Sequence, residues 1–118
     1  MDDLIFSYSR KQALADGVLI DITELAKEVG FRVPVAITNQ LFNSYIKTSI
    51  PSQDESARLW DTLVLLVISA KHCVEDTLYF HVSFQMTESQ YETPLLKAVI
   101  GPGDDSLPVV TIMLEDED

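Results

Sequence analysis

Thr77-Leu78-Tyr79-Phe80-His81-Val82-Ser83-Phe84-Gln85-Met86 is the stretch that decides the fold. Leu78, Phe80, Val82, Phe84 and Met86 alternate with Tyr79, His81, Ser83 and Gln85. Successive side chains of a strand point to opposite faces, so this alternation predicts a half-buried β-strand. Just upstream the apolar period is 3.6 instead of 2. Trp60, Leu63, Val64 and Val67 share one helical face, and Leu59, Leu66 and Ala70 widen it. Leu65 and Ile68 fall elsewhere on the cylinder, so the second half of this segment reads as buried nearly all round. The spacing predicts a central core helix from about Gln53 to His72. Ser52 and Glu55 form a capping-box signal after the break at Ile50-Pro51.

Downstream, Thr87 to Thr93 reads as a polar loop, Leu95 to Ile100 as a second strand and Val109 to Leu114 as a third. Gly101-Pro102-Gly103-Asp104-Asp105 lies at the last bend. Pro at the second and Gly at the third position of a turn predict type II geometry there. Residues 115–118, all acidic, are expected to fray beyond a single domain of residues 1–114.

Upstream, Leu4 to Tyr8 suits a short strand or a packed extended arm. Ser9 to Ala15 reads as a short helix, with Ser9 as N-cap and Gly17 as its stop. Val18 to Ile20 is a brief apolar connector. Asp21 and Glu24 have capping-box spacing before Ile22, Leu25 and Val29, and Gly30 ends that helix. Pro34 suits the first turn of a further helix, running to about Tyr45 with Ile37, Leu41 and Tyr45 as its stripe. Helices followed by consecutive strands predict an α+β fold. About four N-terminal helices are expected on one face of a C-terminal three-stranded antiparallel sheet, a meander. No helical crossover separates the last strands, as a parallel sheet would require.

The formal charge is −11, from 19 acidic and 8 basic residues. Direct nucleic-acid binding is disfavoured, because neutralising phosphates takes clustered Lys and Arg. An anionic membrane surface is disfavoured likewise. Excess negative charge keeps a small domain soluble; a sharper alternative is an acidic surface that mimics nucleic acid or docks on a basic partner. With 47% hydrophobic and 23% charged residues the composition is that of a globular domain. Cys73 is the single cysteine, which fits a reducing compartment. Met1-Asp2-Asp3 shows no basic region of a signal peptide, and the longest apolar run, Leu63 to Ile68, is too short to span a bilayer. A cytoplasmic protein is expected.

His72 and Cys73 are adjacent, and neighbours on a helix point about 100° apart, which argues against a nucleophile–base pair. His81 has no second His or Cys at ligand spacing, so no metal site and no cofactor are expected. Gly101-Pro102-Gly103 is a poor phosphate cradle, because Pro102 lacks an N–H and two carboxylates follow. The segment from Ile22 to Tyr45 has the lengths of a helix-turn-helix, yet its second helix has no Arg or Lys before Lys47. Trp60, with Arg58 and Asp61 at the start of the long helix, is a candidate cleft residue. Tyr8, Arg10, Arg58, Trp60, Asp61, Asp104 and Asp105 are the candidate binding residues, should they converge.

Three stretches carry a resemblance: Tyr8 to Asp21, Arg58-Leu59-Trp60-Asp61, and Lys97 to Asp105 running on through Pro108 to Leu114. With Glu28-Val29-Gly30-Phe31 and Pro34-Val35-Ala36 between them, the chain resembles a family of small uncharacterised bacterial proteins, often carried on plasmids and other mobile elements. The resemblance implies a bacterial, mobile-element setting and assigns no residue a role. The sequence therefore points to a non-enzymatic binding or regulatory protein with a protein partner, and to a possible homodimer through an exposed sheet edge. A small ligand-binding domain or enzyme, with a site near Trp60, Asp61, Asp104 and Asp105, is the alternative. Acidic nucleic-acid mimicry is the second.

Overall fold

The computed structural model describes residues 8–48, 50, 54–71 and 73–117. The expected arm at Leu4 to Ser7, the cap at Ser52 and His72 lie outside these residues. Four helices and seven strands are present among the described residues. Helix α1 spans Arg10–Asp16 and strand β1 Leu19–Asp21. Helix α2 spans Thr23–Val29 and β2 Val35–Thr38. Helix α3, Asn39–Leu41, widens into a π-helical turn at Phe42–Ile46, and α4 spans Glu55–Ala70. Then come β3 (Thr77–His81), β4 (Phe84–Gln85), β5 (Tyr91–Glu92), β6 (Leu95–Pro102) and β7 (Pro108–Leu114).

The expected three-stranded antiparallel meander is corrected. The main sheet has five strands in the order β1-β2-β7-β6-β3, and β2 runs parallel to β7. The error lies in Pro34 to Thr38. That segment reads as the start of a helix but forms a strand, with Val35 opposite Val110 and Ile37 opposite Ile112. Val35, Ala36 and Ile37 are all buried, so apolar residues occupy both faces of the strand and it shows no alternation to read. Pro34 precedes the strand and its carbonyl accepts the Val110 N–H at 2.9 Å. The helix begins only at Asn39, where Thr38 Oγ1 accepts the Leu41 N–H. The apolar connector before Asp21 is likewise a strand, the edge strand β1, antiparallel to β2.

Register fixes which residues share a face. Val35, Ile37, Val110, Ile112, Ala98, Leu96 and Phe80 point to one side, where they join Leu63 and Leu66 of α4 and Ala26 of α2 in the main core. Leu63, Ile37, Leu96 and Ile112 are fully buried, each worth about 1.5–3 kcal/mol of apolar burial. The opposite face carries Ala36, Thr38, Val109, Thr111, Met113, Val99 and Lys97. Helix α1 lies on this second face, so the expectation that all helices share one face is also corrected.

Strands β4 and β5 prolong β3 and β6. Phe84 stands opposite Glu92 in the same register that places His81 opposite Leu95, and the Met86 N–H reaches the Gln90 carbonyl. Beyond the sheet this arm folds over the helical layer, where Phe84 stacks on Tyr45 at 5.3 Å between centroids and Tyr45 OH donates to Glu92.

Candidate functional site

The site begins at the last bend. Gly101-Pro102-Gly103 does not form the expected type II turn: Pro102 stays in β6 opposite Pro108, and Gly103 lacks a left-handed φ. The chain reverses one step later. The Ser106 N–H donates to the Gly103 carbonyl and the Gly103 N–H to the Leu107 carbonyl, with Ser106 at φ 70°. This is a three-residue hairpin loop, a type I turn closed by a left-handed residue. Asp105 Oδ1 accepts the Leu107 N–H and serves the turn itself.

Asp104 points away from its own turn. Its Oδ1 accepts the Arg10 N–H and its Oδ2 the Lys11 N–H, both at 2.9 Å. These are orphan donors of the first turn of α1, and Ser9 Oγ takes the next one, from Gln12. The two backbone bonds, that from Lys11 first, hold the Asp104 carboxyl below the ordinary carboxylate range.

Docked in this way, α1 sends the Arg10 side chain under itself onto the sheet. One Nη donates to Thr111 Oγ1 at 2.6 Å and the other to the Val110 carbonyl at 3.0 Å. Both acceptors are uncharged, and among the described residues no carboxylate lies within ion-pair distance of Arg10. Desolvation lowers its pKa, opposed by the fields of Asp21 and Asp104, yet a guanidinium remains charged. Tyr8 OH donates to Asp16 Oδ2 at 2.6 Å, and that bond raises the phenol pKa.

Between α1, the last bend and strands β6 and β7 lies a cleft of about 630 Å³. Tyr8, Arg10 and Asp104 line it together with Val99, Thr111 and Met113. Glu117 closes one end; its Oε2 accepts the Thr38 hydroxyl and the Leu114 N–H at 2.8 Å, and the Lys97 ammonium bonds its carbonyl. Thr111 was readable as the polar residue in an otherwise apolar alternation, Val109-Thr111-Met113. Glu117 carries no such signal.

The remaining candidates are elsewhere. Arg58 is 5% exposed on the helical side of the sheet, donating to the Tyr45 and Gln85 carbonyls with its guanidinium over the Phe84 ring. The π-helical turn, closed by the Lys47 N–H on the Phe42 carbonyl, leaves that Tyr45 carbonyl free to accept Arg58. Arg58 therefore ties the β4–β5 arm to the helices. Trp60 and Asp61 are exposed on α4, across the sheet from Asp104. Only Tyr8, Arg10 and Asp104 converge.

A second cleft, of about 460 Å³ and mostly apolar, opens on the helical side between Phe31, Leu66, Ala70 and Leu78. Among the described residues no three His, Cys, Asp or Glu side chains are grouped to hold a metal ion. No helix among them is long and apolar enough to cross a membrane.

The model of a family of unknown function, DUF6573, matches residues 1–118, and the chain belongs to that family. No curated protein and no solved structure matches the chain.

Proposed function

We propose that the protein is a small non-enzymatic binding module that seats a protein partner in the cleft beneath α1. One observation carries this reading: the Arg10 guanidinium is half desolvated, pinned by Thr111 and the Val110 carbonyl, and faced by no carboxylate within ion-pair distance among the described residues. A cation held in place by neutral acceptors is prepared for an incoming carboxylate or carbonyl, and Arg is enriched among residues that dominate interfaces. Val99 and Met113 supply apolar floor beside it. The formal charge of −11 favours a partner with a basic rim. In the bacterial, mobile-element setting that the sequence resemblance implies, that partner would be a host or element-encoded protein.

The test is affinity capture with the full chain as bait, followed by titration against the purified partner. Arg10→Gln should weaken binding about tenfold or more. Val99→Glu, which fills the cleft floor with a charge, should abolish it. The surface change Ile68→Arg on α4 should leave it intact. A partner indifferent to both cleft variants would sink this reading, as would turnover of a small molecule by the purified protein.

The rival site near Trp60 loses support from the separation of Trp60 and Asp104 across the sheet. Nucleic-acid mimicry loses it from the spread of acids over α2, α4, the β4–β5 arm and the last bend.

A further inference from the structure

The two edges of the sheet are unlike. At β1, Leu19 and Asp21 alone turn their backbone outward, since the bonds Asn39 N–H to Val18 carbonyl and Ile22 N–H to Val35 carbonyl show the alternate residues facing β2. At β3 the bonds Ile100 N–H to Asp76 carbonyl and Val82 N–H to Pro94 carbonyl show the even-numbered residues facing β6. Thr77, Tyr79 and His81 therefore present their N–H and C=O groups outward, and no described residue takes them.

Natural sheets guard such an edge with Lys, Pro, inward charges or a bulge. Thr77-Leu78-Tyr79-Phe80-His81 contains none of these and no acid. On the face shared by Tyr79, the neighbouring β6 residues Leu95, Lys97 and Val99 bring one cation and no carboxylate. In a chain of formal charge −11, this edge is a patch where a second negatively charged copy meets no local repulsion. A basic extended peptide, by contrast, would find no carboxylate along these five residues. Tyr79 is 51% exposed at the middle of the strand.

We infer that a second copy of this chain pairs with β3 antiparallel, about a two-fold axis at Tyr79, to join two sheets into one of ten strands. The register is self-complementary. Tyr79 faces Tyr79 of the second copy, Thr77 faces its His81, and the three outward residues of each strand exchange six hydrogen bonds. Isologous pairing of this kind is closed, so it ends at a dimer. The two Tyr79 rings lie side by side, flanked by Lys97, which stands opposite Tyr79 in each copy.

Sedimentation of the full chain over a concentration series tests this, with amide exchange read on the same samples. The wild type should sediment as a dimer, and the amides of Thr77, Tyr79 and His81 should be protected in proportion to the dimer fraction. Tyr79→Pro removes an outward N–H that the monomer does not use. It costs two interchain bonds per dimer, about a tenfold or greater loss of affinity. Tyr79→Lys, which keeps the N–H but places two cations face to face, should also give monomer. A wild type that stays monomeric up to about 0.1 mM, where even a weak edge pairing of about 10 μM would be filled, overturns the inference. A dimer whose Thr77, Tyr79 and His81 amides exchange freely, or one unchanged by both substitutions, does so too.

Discussion

Asp104 and Arg10 are 94 residues apart in the chain and 2.9 Å apart in the fold, carboxylate oxygen to backbone nitrogen. The bond joins the last bend of the sheet to the first turn of α1. Because the Arg10 side chain departs from that turn to Thr111, the same contact sets the floor of the cleft. Arg10 is thus fixed twice, by its backbone and by its guanidinium.

Asp104→Ala should release the start of α1 while leaving the sheet intact. Amides of Arg10, Lys11 and Gln12 should exchange faster, whereas those of Ile112 and Leu96 should not change. Asp104→Asn should be intermediate, since one amide oxygen accepts but the NH₂ cannot. Equal exchange in all three proteins would show that Asp104 does not dock the helix.

The pH dependence of this docking has a definite sign. The folded pKa of Asp104 lies below its ordinary value of 3.8. Its contribution is therefore present above about pH 3.8 and lost as pH falls through the lower folded value. An NMR titration should give a carboxyl midpoint below 3.8, with Arg10 and Lys11 amide shifts moving on the same curve. A midpoint at or above 3.8 would contradict the two backbone bonds.

Arg58→Ala should destabilise the protein by about 2–4 kcal/mol, because it withdraws a buried donor from the Tyr45 and Gln85 carbonyls and leaves a cavity beside Phe84. Arg58→Lys should lose about 1–2 kcal/mol, one ammonium being a poor substitute for a fork that spans two carbonyls. Chemical denaturation measures both. The Arg58 Nε is buried and has no partner among the described residues, which limits how much the native pairing contributes.

Ser106 holds a left-handed backbone, φ 70°, that suits glycine. Ser106→Gly should stabilise the hairpin by up to about 1 kcal/mol, the left-handed cost outweighing the added freedom of the unfolded chain. Ser106→Val should cost about 1–2 kcal/mol. Thermal melts that place Gly below Ser would contradict the loop geometry.

Local signals in the sequence are dependable where one residue settles the matter. Ser9 and Gly17 bound α1, because a hydroxyl cap and a left-handed C-terminal glycine (φ 80°) are local chemistry. Strands β3, β6 and β7 alternate and are read as strands. Val35-Ala36-Ile37 is buried on both faces, so its strand character rests on a partner, Val110 to Ile112, that local pattern does not reveal. The same limit governs the site. Tyr8, Arg10 and Asp104 converge only because α1 crosses to the face opposite α4, and spacing along the chain holds no trace of that crossing. Grouping Trp60 with them joins two sides of one sheet. The turn at Gly101-Pro102-Gly103 fails for a similar reason: pairing with Pro108 carries β6 past the residues whose local preference would bend it.

The parallel pairing of β2 with β7 also governs the order of assembly. During synthesis β1, β2 and α2 leave the ribosome about seventy residues before the strand that completes them. Until residues 108–114 emerge, one side of β2 has no neighbour and β6 has none on the side that β7 will fill. The β3–β6 hairpin can form alone, but joining it to the N-terminal strands waits for nearly the whole chain. Such long-range closure slows folding and exposes unpaired strands meanwhile. A nascent chain stopped before Pro108 would hold two half-sheets with no seam between them.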